Sequence, residues 1–205
     1  RISGFCNYPT FCNVNGERSW SRLKINYIER SCLISANNEY RWSLSFKITK
    51  SKKEIIFIGL NPSLSDSNFV DNTTRKIIKI CKNYNYGNLK IINLFALISK
   101  NPDELLIHKK PVGYLNNKFI NKSLKYWSEN KNCHLWLGWG NNGIFFNRNK
   151  KIYKKIVNSY SIKKDNFENP LGPLFIKKTK KQNPIHPLYC SDNSLLKVES
   201  SLNFS

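Results

Sequence analysis

Short apolar runs alternate with longer amphipathic stretches along most of the chain. EYRWSLSF, Glu39 to Phe46, alternates polar and apolar positions as a strand does, and KITKSKK after it is a polar turn. EIIFIGL, Glu54 to Leu60, is almost continuously apolar, the pattern of a central parallel strand covered on both faces. Thr73 to Gly87 places Ile77, Ile78, Cys81 and Tyr84 at helical spacing and stops at Asn-Tyr-Gly. The unit then repeats. Leu89 to Leu97 is a second buried strand, and Asn117 to Lys131 is a helix with Phe119, Ile120, Leu124 and Trp127 on one face. Cys133 to Gly140 is a further strand ending in Gly, Asn147 to Tyr160 a basic amphipathic helix, and Pro173 to Thr179 a short last strand.

Strands alternating with helices of this length predict an α/β fold around a largely parallel, about four-stranded central sheet. Residues 1–30 carry turn formers and no clear period, so they are expected to be an N-terminal extension. Residues 31–190 are expected to form a single α/β domain, followed by a polar C-terminal tail, 191–205. In such sheets a ligand sits beyond the carboxyl ends of the strands. Four segments should converge there: GLNPSLSD from Gly59 to Asp66, the stretch around Asn93, Trp139-Gly140, and NPIHPLY from Asn183 to Tyr189. Each has a plain structural account. Pro62 restricts Asn61 to an extended conformation and turns the chain out of the sheet; Asn93 can satisfy buried backbone groups; Trp139 can be core. Together, two amides, a histidine and one or two carboxylates at one rim suggest chemistry.

Charge adds a partner. The 205 residues hold 34 Lys and Arg against 13 Asp and Glu, a net charge of +21, which suits phosphate-bearing nucleic acid. Most of the cations are Lys, beside abundant Asn and Ile, so an AT-rich coding bias accounts for part of the excess. No apolar run approaches the roughly 18 residues of a membrane span, and RISGFCNYPT at the start has no long apolar core, so no signal peptide is read. The six cysteines form no C-x-x-C pair and the three His lack ligand spacing. The thiols are expected reduced and buried; an iron–sulfur site on Cys6, Cys12 and Cys32 is the weaker alternative.

The order YRWSL, GLNPSLSD, DNTTR, INLFAL, P-V-G-x-x-N (Pro111 to Asn116), GWG and PIHPLY resembles the bacterial and phage family called domain of unknown function 1643, from about Ser31 to Tyr189. More remotely, GLNP, INLF, GWG and IHP in that order resemble the uracil-DNA glycosylase superfamily, although His186-Pro187-Leu188 stands where that superfamily usually has His-Pro-Ser. The remote resemblance implies a three-layer α/β/α sandwich. It also implies that Asn61 holds an attacking water, Asn93 reads the edge of a flipped base, and His186 faces the leaving base. An amide cannot take a proton from water, so a carboxylate is wanted, and Asp66 and Asp71 follow in the loop. Asp71 lies two residues before TTRKII and suits a helix cap, which leaves Asp66 as the candidate base. Phe69 is the candidate for stacking on an extruded base, with Pro62 and Ser63 as further base contacts. Arg75, Lys177, Lys178, Lys180, Lys181 and Lys154 are candidates for gripping a nucleic-acid backbone. Arg148 reads as a solvated helix residue.

The expected protein is therefore a DNA glycosylase-like hydrolase acting on a modified or damaged base, without cofactor or metal, monomeric and cytoplasmic, with DNA preferred to RNA as partner. Two alternatives stand beside it: a non-catalytic DNA- or RNA-binding module of the same fold, and an enzyme acting on free nucleosides or nucleotides.

Overall fold

A computed structural model describes residues 27–63 and 70–199. In chain order the elements are β1 (Glu29–Ile34), β2 (Arg41–Lys47), β3 (Glu54–Gly59), α1 (Asn72–Asn83), β4 (Asn88–Asn93), α2 (Glu104–Ile107), α3 (Asn116–Glu129), β5 (Cys133–Leu137), α4 (Arg148–Asn166), β6 (Leu174–Phe175) and β7 (Lys197–Val198). Two 3-10 turns, Asn141–Asn147 and Pro187–Tyr189, complete them.

The strands form one mixed sheet in the order β1-β2-β4-β3-β5-β6-β7. This corrects the expected four-stranded, largely parallel sheet. A parallel block, β4-β3-β5-β6, is present, but β1 and β2 extend it antiparallel at one edge and β7 at the other. Of the added strands β2 is the one the alternation of EYRWSLSF predicts, while β1 and β7 escape the hydrophobic pattern for a physical reason: ERSCLI of β1 is exposed or half-buried throughout, and β7 is two exposed residues. Edge strands need bury only one face, and so carry no continuous apolar run.

The parallel strands show why the two layers of helices form. Along β3, Ile56 and Ile58 face one side and enter a core with Ile120, Leu124 and Trp127 of α3 and Ile152 and Ile156 of α4. Ile55 and Phe57 face the other side and pack with Ile77, Ile78 and Cys81 of α1. The side-chain period of two thus feeds both cores from one strand. Asp71 caps α1, its Oδ1 accepting from the Thr74 amide at 2.7 Å, and Asn85, at φ 54, ends the helix four residues before the sequence pattern does.

At the amino ends of the parallel strands the Tyr86 hydroxyl meets His134 Nδ1 at 2.6 Å. Burial, then the nearby Lys53 and Lys163, push the imidazole down to about 4 from its ordinary 6.5. The unfolded chain therefore binds the extra proton first as pH falls. The contribution is whole above pH 6.5 and is lost as pH falls through about 4. Urea unfolding of wild type and His134→Gln across that range is expected to show about 1–2 kcal/mol more acid loss in wild type, after allowance for solvent screening. Parallel pH curves for the two proteins would refute this.

Candidate functional site

The chain leaves β3 through Gly59-Leu60-Asn61-Pro62, and the exit of β4 follows it closely. Leu94 and Phe95 amides donate to Gly59 O and Leu60 O, each at 2.9 Å, and Ser99 N donates to Pro62 O at 3.0 Å. Beyond these strand ends opens a cleft of about 620 Å³. Asn61, Asn93 and His186 all line it, as do Ser63 and Asp71. Trp139 and Gly140 line it too, so each of the four segments expected at the rim contributes described residues to it.

The Asn61 amide is oriented by the backbone around it. Its Nδ2 donates to Pro62 O at 3.1 Å and to Ser99 O at 3.0 Å. Both N–H groups are thereby used, and Oδ1 is the atom left to accept a hydrogen from a ligand or water. Pro62 itself is buried and is not part of the cleft wall; its carbonyl, rather than its ring, serves the site.

Asn93 is 5% exposed. A Cβ added at Gly59 would lie 2.7 Å from Asn93 Oδ1 and 3.0 Å from the Phe57 ring, so the glycine of GLNP makes room for the amide. Asn116, the last residue of P-V-G-x-x-N, donates from Nδ2 to Asn93 O at 3.0 Å and Leu94 O at 2.9 Å. Arg148 Nε adds a third donor, 2.8 Å from Leu94 O, and its Nη2 reaches Asn117 Oδ1 at 2.7 Å. Arg148 is thus a buried clamp on the end of β4, not the solvated helix residue its lysine-rich surroundings suggest. Gly59→Ala is expected to displace the Asn93 amide and lower ligand affinity about tenfold or more, with far-UV circular dichroism unchanged. Affinity equal to wild type would show that Asn93 makes no contact.

His186 precedes the 3-10 turn, and its Nδ1 accepts from the Leu188 amide at 3.3 Å. That bond assigns the proton of the neutral ring to Nε2. Burial lowers the imidazole below its ordinary value, partly opposed by the negative charge of Asp71, so the neutral Nε2–H donor is the form present near pH 7. The turn is held from α1, where Lys76 Nζ donates to Cys190 O at 2.6 Å and Leu188 O at 3.3 Å. It is held from β5 as well. A Cβ on Gly138 would come within 2.5 Å of Phe57 and 3.2 Å of the Pro187 ring, which explains the first glycine of GWG. Trp139 between the two glycines is 1% exposed and packs in the core.

Asp71 does cap α1, and more. Its Oδ2 accepts from the Ser63 hydroxyl and from Thr74 Oγ1, so the cap also ties the loop to the cleft wall. Among the described residues it is the one carboxylate lining the cleft. Asp66 and Phe69 lie outside the described residues. Phe95 is fully buried in the core.

The backbone-gripping candidates do not line the cleft. Arg75 Nε donates to Val70 O at 2.8 Å, and Lys178 pairs with the buried Glu199 at 3.1 Å. Lys180 and Lys181 are exposed in a turn closed by Thr179 N to Asn183 O and Gln182 N to Thr179 O. Thr179 is in the cleft wall, so these two lysines stand beside it. Lys177 is exposed on the same segment and Lys154 on α4.

Sequence reasoning missed two cations of the cleft, Arg41 and Lys100. The available signal was Arg41 itself, an arginine in a chain that otherwise favours lysine, set between Tyr40 and Trp42. Of the cysteines, Cys32, Cys81, Cys133 and Cys190 are free thiols, the middle two buried; Cys6 and Cys12 lie outside the described residues.

Fold and cleft together define a mixed-sheet α/β protein with a polar site of amides, one imidazole and one carboxylate at the carboxyl rim. The family described as Protein of unknown function (DUF1643) matches residues 41–188, and the chain belongs to that family. Neither a curated protein nor a solved structure matches it.

Proposed function

We propose that the chain is a glycosylase-like hydrolase that cleaves the N-glycosidic bond of a modified or damaged base in DNA. The observation that carries this reading is the meeting of Asn61, Asn93 and His186, from three separate segments, around one cleft. Breaking the bond leaves positive charge on the sugar and an electron pair on the departing base. The His186 Nε2–H donates to the base and stabilises that pair. Asn61 Oδ1 accepts from the attacking water, and the Asp71 carboxylate opposes the charge on the sugar. The water oxygen bonds the sugar carbon, and its proton passes to the carboxylate or to solvent and then to the base. Asn93 reads the base edge. The net charge of +21 and the exposed Lys180 and Lys181 beside the cleft suit a polyanionic substrate.

The test is formation of abasic sites in duplex and single-stranded DNA carrying uracil, other deaminated bases or hypermodified pyrimidines. Product from wild type above that from Asn61→Ala and His186→Ala supports the reading; no such excess on any substrate ends it.

One observation favours a second reading. Both oxygens of Asp71 are already engaged by Thr74 and Ser63, which weakens it as a proton acceptor. A binding module that recognises the same base without cleaving it would then show salt-sensitive affinity, no product, and no loss of affinity in Asn61→Ala.

A further inference from the structure

We infer that two loops beside the cleft form a binding surface for single-stranded nucleic acid, in which the rings of Phe146 and Tyr189 stack on unpaired bases and neighbouring lysines hold the backbone. This inference rests on the nucleic-acid part of the reading above and deepens it by naming the form of the substrate.

Phe146 stands in the 3-10 turn Asn141–Asn147, four residues beyond the cleft-lining Asn142. Its backbone is left-handed, at φ 53 and ψ 26, and Asn147 follows at φ 54. A bulky aromatic residue rarely adopts that region, because its Cβ crowds the following carbonyl. Little burial is gained in return, since the residue is 50% exposed. The buried Phe95 ring meets it edge to face, centroids 6.2 Å apart, and so fixes its position. The turn is pinned before and after the ring. A Cβ on Gly143 would collide with the Trp139 indole, and Arg148 Nε donates to Leu94 O at 2.8 Å. A strained backbone that holds a half-exposed ring in one place points to a use for the ring.

Tyr189 is 74% exposed and lies in the cleft wall. Its amide donates to His186 O at 3.1 Å, and its ring meets that of His186 edge to face, centroids 6.1 Å apart. Lys76 holds the carbonyls of Leu188 and Cys190 on either side of it. The two loops are joined to one another. Gly140 N donates to Pro184 O at 2.8 Å, and Thr179 Oγ1 to Asn141 Oδ1 at 2.6 Å. Both rings are therefore set out in advance of binding, which lowers the ordering cost of any ligand that uses them.

Charge selects the occupant. Neither residues 139–155 nor residues 176–190 contain an Asp or Glu, and Lys150, Lys151, Lys180 and Lys181 are exposed on them. A nucleic-acid strand matches both features, with phosphates for the ammonium groups and base faces for the rings. A duplex keeps its base faces inside its own stack, whereas a single strand offers them. A nucleotide entering the cleft from a single strand also has no pairing to break.

The experiment is a fluorescence-anisotropy titration of labelled probes with the full chain. The probes are an oligothymidine of about 15 nucleotides, a strand of equal length built of abasic sugar phosphates, the duplex of the oligothymidine with oligodeoxyadenosine, and the matching oligouridine. The oligothymidine is expected to bind at least about tenfold more tightly than the abasic strand or the duplex. Phe146→Ala and Tyr189→Ala should each weaken its binding about five- to fiftyfold and leave the abasic strand within about twofold. Phe146→Trp and Tyr189→Phe, which keep a ring, should bind as wild type does. The double change Lys150→Gln with Lys151→Gln should weaken both strands alike. Binding of the oligouridine equal to the oligothymidine extends the surface to RNA; binding confined to the oligothymidine assigns it to DNA. A duplex bound as tightly as the single strand overturns the inference, as does equal affinity for the abasic strand or the absence of binding by every probe. So does an unchanged affinity in either folded alanine variant. If Phe146→Ala does not fold, Phe146→Gly, which suits the left-handed backbone, takes its place under the same criterion. Ring-dependent binding of single strands with no base release on any substrate would leave the surface standing and end the hydrolase reading. Base release confined to duplex DNA would do the reverse.

Discussion

Asn61→Ala and His186→Ala are each expected to slow base release by roughly 10²–10³-fold in single-turnover assays, with the fold retained. In the proposed reaction the two act on opposite partners. Asn61 presents an acceptor whose direction is set by the carbonyls of Pro62 and Ser99, and its truncation leaves the water unoriented. Asn61→Asp is not expected to improve the site by supplying a base: the carboxylate would face those same two carbonyls, lose both donors and swing away. His186 offers a neutral N–H, because its Nδ1 is occupied by the Leu188 amide. Protonation would add a proton at Nδ1 and keep the Nε2–H, so the rate is expected not to change as pH falls through the ordinary histidine value, since burial holds the folded imidazole under that value. His186→Gln keeps an N–H donor and should recover part of the loss. Rates within threefold of wild type for both alanine variants would remove these residues from the chemistry.

The parts of this molecule that were legible in its sequence are those where one strand or helix encodes its own surroundings. EIIFI of β3 is buried on both faces, so its pattern is continuous and its burial unmistakable. The Asp71 cap could be read two residues ahead of a helical pattern. Asn61, Asn93 and His186 were found because a parallel βα arrangement sends strand ends to one rim, whatever the remaining details of the sheet. What stayed hidden depends on residues far apart in the chain. Arg148 looks like one more cation of a basic helix, and only the carbonyl of Leu94, 54 positions away, reveals it as a clamp. Arg41 sits where alternation predicts a solvated strand residue. Its burial comes from the loop after β4 closing over the start of β2, through the Tyr40 to Leu97 bridge and the Arg41 to Ala96 hydrogen bond. β6 is only two residues long, because the chain departs after one parallel pairing with β5, Trp136 opposite Leu174, a choice no local propensity dictates.

Lys163→Met is expected to destabilise the protein by about 3–5 kcal/mol, lowering the melting temperature by about 10 °C. The residue is fully buried in α4, an unusual place for an ammonium group. Its Nζ donates to Trp127 O at 2.7 Å, Asn130 O at 2.6 Å and Cys133 O at 3.1 Å. Those carbonyls belong to the last turn of α3, to the residue that ends that helix, and to the first residue of β5. The three protons of the ammonium meet three acceptors, and its charge lies at the negative end of the α3 dipole. The rings of Trp127 and Phe167 flank it, each 5.5 Å away. Methionine keeps most of the volume and removes every one of these bonds, leaving buried carbonyls without a donor. Alanine would add a cavity and cost more. Because Lys163 serves the amino ends of the parallel strands and the cleft lies at their carboxyl ends, ligand affinity measured well below the melting transition should be unchanged. A melting temperature within about 2 °C of wild type would mean that other donors replace the ammonium. A loss of affinity in still-folded Lys163→Met would mean instead that the clamp on α3 and β5 is transmitted through the sheet to the cleft.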